Sequence, residues 1–174
     1  MGPDSEKTFR EFVAARGTAL FRAAYVLTGN QHQAEDLVQS ALAKTAARWD
    51  ALEKKDDPEG YVRRAMYHER ISWWRRRKKI TEEATELLPE VPQQDRSGQV
   101  DLKLVVKAAL SKLGPKQRAV LALRFYEDRS EQEIATILGI SVGTVRSQTH
   151  RALARLREVA PELRDTGVPE EVQK

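Results

Sequence analysis

The stretch Ser130–Arg157, SEQEIATILGISVGTVRSQTHRALARLR, decides how this chain is built. Ser130 with Glu133 three residues on is a capping box: the hydroxyl takes the Glu133 amide and the Glu133 carboxylate reaches back. A short helix follows, with Ile134, Ile137 and Leu138 on its apolar face. Gly139 suits a left-handed C-terminal cap, and Ser141 caps a longer helix expected over 142–158. Two capped helices about a glycine turn are the parts of a helix-turn-helix. On the second helix Val145, Thr149, Ala152 and Leu156 recur at helical spacing and face inward. That leaves Thr144, Arg146, Ser147, Gln148, His150 and Arg151 outward. Arginine forks onto guanine and glutamine onto adenine in a major groove, each good pair giving about 1–3 kcal/mol of discrimination. The competing reading is an ordinary helical hairpin with a solvated face. Cap, turn, spacing and outward chemistry agree with one another, which favours the DNA-reading alternative.

The rest of the chain reads as helical too. It has 174 residues, is 40% hydrophobic but only 6% aromatic, and has few glycines and prolines. That is helix-former composition with aliphatic cores, and no run of strict alternation marks a strand. There is no cysteine, so disulfides, thiol catalysis and cysteine zinc sites are excluded. No apolar run is long enough to span a bilayer, so no membrane insertion is expected, and a cytoplasmic location fits. The three histidines lack metal-ligand spacing and no glycine-rich phosphate loop is present. No cofactor and no catalytic or metal-ligating residue is therefore expected.

The fold expected is all-α, with two helical domains. The first, 6–80, holds a helix over 6–28, a second from Gln33 to Trp49, and a third opened by Asp57-Pro58 that ends in WWRRRKK at 73–79. Residues 81–99 form a flexible acidic linker with two prolines and a glycine. The second domain, 100–160, begins with the amphipathic face Leu102, Val105, Val106, Ala109, Leu110 and Leu113 and ends in the helix-turn-helix. Residues 161–174 form a flexible polar tail. Charge is segregated. Arg63, Arg64, Arg70, Arg75, Arg76, Arg77, Lys78 and Lys79 face Glu69 alone within 61–80. Six carboxylates face Arg96 alone within 81–101. A basic block beside an acidic one suggests separate electrostatic tasks.

The stretch LGPKQRAVLALRFYEDRSEQEIATILGISVGTVRSQTHRALARLR, residues 113–157, resembles region 4 of the group IV, or extracytoplasmic-function (ECF), RNA polymerase sigma factors. AEDLVQSALAKTAARW, residues 34–49, resembles their region 2.2, and PEGYVRRAMYHERISWWRRRKK, residues 58–79, their regions 2.3–2.4. The resemblance spans about residues 6–160 and is strongest toward the actinobacterial SigE-type subgroup. It implies that the first domain docks on the clamp helices of core RNA polymerase and captures the non-template strand of the −10 element. The second would sit on the β flap and read the −35 element as duplex promoter DNA, with the linker threading toward the active-site cleft. It also implies an anti-sigma factor as a further partner.

Carried over by position, Asp36, Leu37, Gln39 and Ser40 match the polymerase-binding segment, with Ser40 where the family often has Glu. The loop containing Lys54, Lys55 and Asp56 matches the segment that pockets a flipped −10 base, and His68 stands where Asn is common beside that pocket. Tyr61, Arg63 and Arg64 fall where melting begins. A melted strand needs cations for its phosphates and shaped pockets for its unstacked bases, and this basic, partly aromatic block offers both.

Within WWRRRKK the tryptophans read as structural and the cations as functional. Trp73 shares a stripe with Val62, Ala65 and Met66 and is expected in the core. Trp74 is expected to be partly exposed, opposite that stripe with Tyr67 and Ile71. Arg75, Arg76 and Arg77 exceed what a helix C-terminus requires and suit phosphates upstream of the melted strand. Three other functions compete. A two-domain helix-turn-helix regulator that is not a polymerase subunit leaves the first domain unexplained. A nucleic-acid enzyme lacks a catalytic constellation, and a protein-interaction adaptor leaves the reading helix without a purpose.

Overall fold

The computed structural model describes residues 2–52, 57–83 and 102–161. Its elements are helices α1 (Pro3–Thr28), α2 (Gln31–Ala46), α3 (Trp49–Leu52), α4 (Pro58–Glu83), α5 (Leu102–Ser111), α6 (Pro115–Leu121), α7 (Glu131–Leu138) and α8 (Val142–Val159). A π-helical turn, Ala122–Tyr126, continues α6. No strand occurs among the described residues. No helix of the described residues is long and apolar enough to cross a membrane.

The helix ends sit where local chemistry puts them. Pro3 and Pro115 open α1 and α6, where a missing N–H costs nothing. Asn30 caps α2 by accepting from the Gln33 amide at 3.1 Å. Asp57 Oδ1 accepts from the Gly60 amide at 2.8 Å at the start of α4. The capping box is complete: Ser130 Oγ accepts from the Glu133 amide at 3.2 Å, and the Ser130 amide donates to Glu133 Oε2 at 2.8 Å. Gly139 adopts φ 64°, the left-handed conformation that its missing Cβ makes inexpensive.

Helices α1, α2 and α4 pack around Leu20, Ala24, Leu27, Leu37, Ala41, Val62 and Met66, all but removed from solvent. Trp49, 3% exposed, closes the outer end against the rings of Phe9 and Phe12, and its indole N–H donates to Thr8 Oγ1 at 2.9 Å. Helices α5 to α8 form the second unit, with α8 packed on both α6 and α7.

The two units are not held apart. Val120, Leu123, Ile134, Leu138 and Val145 of the second unit join the same buried cluster as Leu20, Leu37 and Met66 of the first. Helix α4 packs against α6 and α7, and α1 against α6. The reason lies on α4, which buries two stripes where one was expected. Val62 and Met66 face one way, while Tyr67, fully buried, and Ile71, 9% exposed, carry the buried surface round the helix.

The tryptophan assignment changes accordingly. Trp74 is 38% exposed, as expected, but Tyr67 and Ile71 are core residues. Trp73 is only half-buried at the edge of the cluster, and its indole N–H donates to the Glu69 carboxylate. Helix α4 also runs on to Glu83, three residues into the stretch read as linker. Residues 84–101 and 162–174 lie outside the described residues.

Candidate nucleic-acid interface

The candidate reading surface of α8 follows from its cap and its buried stripe. Ser141 Oγ accepts from the Thr144 amide at 3.1 Å and fixes the first turn. Val145, Thr149, Ala152 and Leu153 are buried, and Leu156 is half-buried. Thr149 satisfies its hydroxyl by donating to the Val145 carbonyl at 2.9 Å. Arg146, Ser147, His150 and Arg151 are exposed, and Thr144 and Gln148 are half-buried at the margin of the same face. Arg146 Nε donates to Glu131 Oε2 at 2.8 Å, but its side chain remains 68% exposed. An ion pair so open to solvent holds a guanidinium weakly.

The basic face of α4 is built differently. Tyr61 and Arg64 are half-buried and stand between two clefts. One, about 480 Å³, is lined by Lys44, His68 and Glu69 among others. The other, about 500 Å³, opens toward α3 past Arg48, Asp50 and Leu52. His68 is exposed at the rim of the first. Lys54, Lys55 and Asp56 lie outside the described residues. Arg75, Arg76 and Arg77 are exposed on the last turns, with Arg76 Nη1 donating to Ser72 Oγ at 2.8 Å.

Arg63 is the exception on this face, because it is already engaged. Its Nε and Nη2 donate to Glu59 Oε1 at 3.0 and 2.8 Å. Its Nη1 donates to Glu127 Oε1 at 2.7 Å. The Tyr67 hydroxyl donates to that same oxygen at 2.9 Å. Burial works against the guanidinium charge, but the hydrogen bond to Glu59 and the charge of Glu127 more than offset it and hold its pKa above the ordinary arginine value. Burial, with the Glu127 charge behind it, drives the Tyr67 phenol far above its usual range, so it stays a donor.

Helix α2 corrects one of the polymerase-binding assignments. Leu37 is fully buried in the core and serves as an anchor. Asp36 and Gln39 are exposed. Ser40 turns toward α4, where its Oγ donates to Glu69 Oε1 at 2.7 Å, and Lys44 Nζ donates to Glu69 Oε2 at 2.6 Å. Burial raises the Glu69 pKa, while the Lys44 and Ser40 hydrogen bonds lower it by more, leaving it below the usual carboxylate range.

Two features had no advance signal, and a third left only a trace. Glu127 is one, since nothing near it in sequence marks a partner on α4. Arg118 is another: 6% exposed, it reaches from α6 to donate Nε to the Val26 carbonyl at 2.8 Å, at the C-terminal end of α1. A Cβ on Gly29 would lie 2.9 Å from Arg118 Nη2, so glycine there serves both the left-handed cap and this approach. Burial, then the charge of Arg70, lowers the Arg118 pKa to about 10. The third is an apolar groove of about 390 Å³ where α5, α6 and α8 meet α1, with Phe125 and Tyr126 exposed on its wall at 45% and 49%. The adjacent Phe-Tyr pair beside Glu127 was its trace in the sequence.

Comparison with known proteins accounts for both units. Residues 12–80 match the family described as Sigma-70 region 2, and residues 103–156 the family described as Sigma-70, region 4. The RNA polymerase sigma-E factor of Streptomyces coelicolor is 46% identical over 150 residues, covering 86% of this chain and 84% of that protein. The ECF RNA polymerase sigma factor SigE of Mycolicibacterium smegmatis is 35% identical over 157 residues, covering 85% of this chain and 60% of that one. Among solved structures, the sigma factor RpoE of Bartonella quintana, in complex with the anti-sigma factor NepR, superposes with a TM-score of 0.67 at 28% identity, covering 88% of this chain and 96% of that chain. CnrH, in complex with the cytosolic domain of CnrY, gives 0.57 at 25% identity, covering 90% of each chain. With both sigma regions present in order and relatives this similar over most of its length, the chain belongs to the ECF RNA polymerase sigma factors, non-catalytic polymerase subunits that direct promoter-specific transcription initiation.

Proposed function

We propose that this sigma factor divides promoter reading between two helices. Helix α8, within a unit spanning 100–160, reads the −35 element as duplex through Thr144, Arg146, Ser147, Gln148, His150 and Arg151. Helix α4 and the loop before it, within a unit spanning 6–80, take the melted −10 strand. Tyr61, Arg64 and His68 lie at the base-sized clefts, and Arg63, Arg75, Arg76 and Arg77 serve the phosphates. The observation that carries this reading is the division of α8 itself: four of its proposed contacts are exposed, while Val145, Thr149 and Ala152 lock its other face into the core. A helix held that rigidly presents its polar face in one register, which base readout requires.

Asp36 and Gln39 are the exposed residues of the α2 segment that would meet core polymerase, with the clamp helices as its surface and the β flap as that of the 100–160 unit. The protein acts in the cytoplasm, where promoter and polymerase are. Its structural relatives RpoE and CnrH were solved with protein partners, NepR being an anti-sigma factor, which supports a regulator of that kind here. The groove walled by Phe125 and Tyr126 suits an amphipathic helix of such a partner. Lys107 and Arg118 at one end of it favour a carboxylate on the incoming helix.

The test is run-off transcription with purified core polymerase on genomic fragments, followed by mapping of start sites. The sigma reading requires RNA from discrete starts preceded by shared −35 and −10 sequences. A regulator that is not a polymerase subunit would bind DNA and yield no transcript with core alone.

A further inference from the structure

The contact between Arg63 and Glu127 joins a residue assigned to the −10 strand with a residue of the other unit, 64 positions away. We propose that the Glu127 carboxylate occupies Arg63 in place of a promoter phosphate, so that the free chain keeps part of its strand-binding face closed. The proposal rests on the reading of Arg63 as a strand contact, and it adds how that contact is regulated.

Accessibility is the first ground. The side chains of Arg63 and Glu127 are 14% and 5% exposed, so no phosphate reaches Arg63 while the pair stands. Arg75 and Arg76 on the same helix are exposed, and so are Arg146 and Arg151 on α8. The closure is therefore local.

Backbone geometry is the second. The π-helical turn Ala122–Tyr126 interrupts the regular helix, and the Glu127 amide donates to the Ala122 carbonyl at 3.0 Å. Asp128 follows at φ 52°, a conformation uncommon for a residue other than glycine, and the Arg129 amide donates back to the Leu123 carbonyl at 2.9 Å. This departure from α geometry leaves Phe125 and Tyr126 outward and turns Glu127 into the interface between the units. Single π turns recur at functional positions for this reason: they re-aim one side chain.

The chemistry of the pair is the third. Glu59 holds Arg63 from its own helix by Nε and Nη2, and Arg16 braces Glu59 at 3.3 Å. Opening the contact thus leaves Arg63 oriented, with Nη1 free for a phosphate oxygen. Glu127 meets Arg63 and Tyr67 through Oε1 only. Its Oε2 is buried and accepts no hydrogen bond among the described residues. A carboxylate with one oxygen unserved is poorly settled in a buried site, so the contact is suited to exchange. The phosphate arrives permanently charged and with more than one acceptor oxygen.

The chain contains no cysteine, so a dye pair at Thr18→Cys and Thr136→Cys, both exposed positions on α1 and α7, reports the separation of the units without interference. Binding is read on the full-length free protein with a fluorescent single-stranded oligothymidylate, because a phosphate contact is independent of base sequence. Glu127→Gln is expected to lower the energy transfer and to tighten oligothymidylate binding by about fivefold, as release from a state unable to bind predicts. Tyr67→Phe, a milder change, is expected to do both in part. In an Arg63→Ala background the gain from Glu127→Gln should vanish. Unchanged energy transfer and affinity in both Glu127→Gln and Tyr67→Phe would overturn the proposal, as would opening with no gain in affinity. Opening with a gain that persists in Arg63→Ala would overturn it differently, by showing that Arg63 is not the strand contact.

Discussion

The face of α8 and the face of α4 carry similar side chains and stand in opposite states. Both offer arginines beside polar residues on one side of a long helix. On α8 Arg146 and Arg151 project into solvent, and the ion pair of Arg146 with Glu131 is open enough to yield to DNA. On α4 the most strongly held arginine is Arg63, enclosed by Glu59 from its own helix and Glu127 from the second unit. The difference lies in what covers each helix. Helix α8 buries one stripe and leaves the other side free. Helix α4 buries two, and α6 and α7 pack against it while Glu127, just after the π turn, reaches its Arg63 and Tyr67. On the proposed division of labour, a duplex would find its reader ready, whereas a melted strand would meet a face that has partly to be opened. That order suits initiation, in which the duplex exists before the melted strand does.

The largest effect that would break this contrast is on α8. Arg146→Glu with Arg151→Glu should reduce −35-dependent run-off transcription by about a hundredfold or more, as loss of two charged contacts and gain of two repulsions imply. Binding to core polymerase, measured by co-purification, should persist. Normal transcription by that variant would remove α8 from the reading role.

The shared core is tested next. Leu123 is fully buried in the cluster that joins the two units. Leu123→Ala should cost about 2–5 kcal/mol in a denaturant titration. Probes in either unit should report one shifted transition. Two transitions, only one of them moved, would show that the units fold separately and would weaken the contrast between the two faces.

A smaller effect is expected at Ser130. Ser130→Ala removes the N-cap of α7 and should cost about 1 kcal/mol of stability by the same titration. Because α7 supports α8 and also packs on α4, −35 binding should weaken only in step with that loss.

The smallest is a pH effect on the α4 side. The folded Glu69 pKa lies below its ordinary value near 4.5, because Lys44 and Ser40 favour the ionised form more than burial opposes it. A depressed carboxylate contributes stability that is fully present above the unfolded pKa and is lost as pH falls through the folded one. The stability difference between the wild-type chain and Glu69→Gln should therefore be constant near neutral pH and shrink as pH drops below about 4.5. A difference that grew on acidification would reverse the assigned sign.

Much of the fold was legible before any coordinates. The capping box at Ser130–Glu133, the left-handed Gly139 and the inward row Val145, Thr149, Ala152 all depend on neighbours within a few residues. Such signals survive in a single sequence. The outward face of α8 follows by subtraction. On α4 the same method failed in part. A helical wheel placed Tyr67 opposite the core, where it would have been if one partner had covered the helix. Leu37 was assigned to a partner surface, and it points inward because α2 shares its apolar stripe with α1 and α4. The π turn has no sequence signature of its own, since it reflects how the end of α6 adapts to what it packs on.

The sequence by itself determined which long segments are helical, where capped helices such as α7 and α8 begin, and which chemistry lies on α8, because propensity, capping and periodicity act over a few residues. Only the tertiary structure decided that α6 and α7 lie on the second stripe of α4, that Arg118 caps the end of α1 and that Glu127 meets Arg63. Periodicity says that a face is apolar without saying which other apolar face it meets. A carboxylate 64 residues away finds its guanidinium only once that choice of packing has been made.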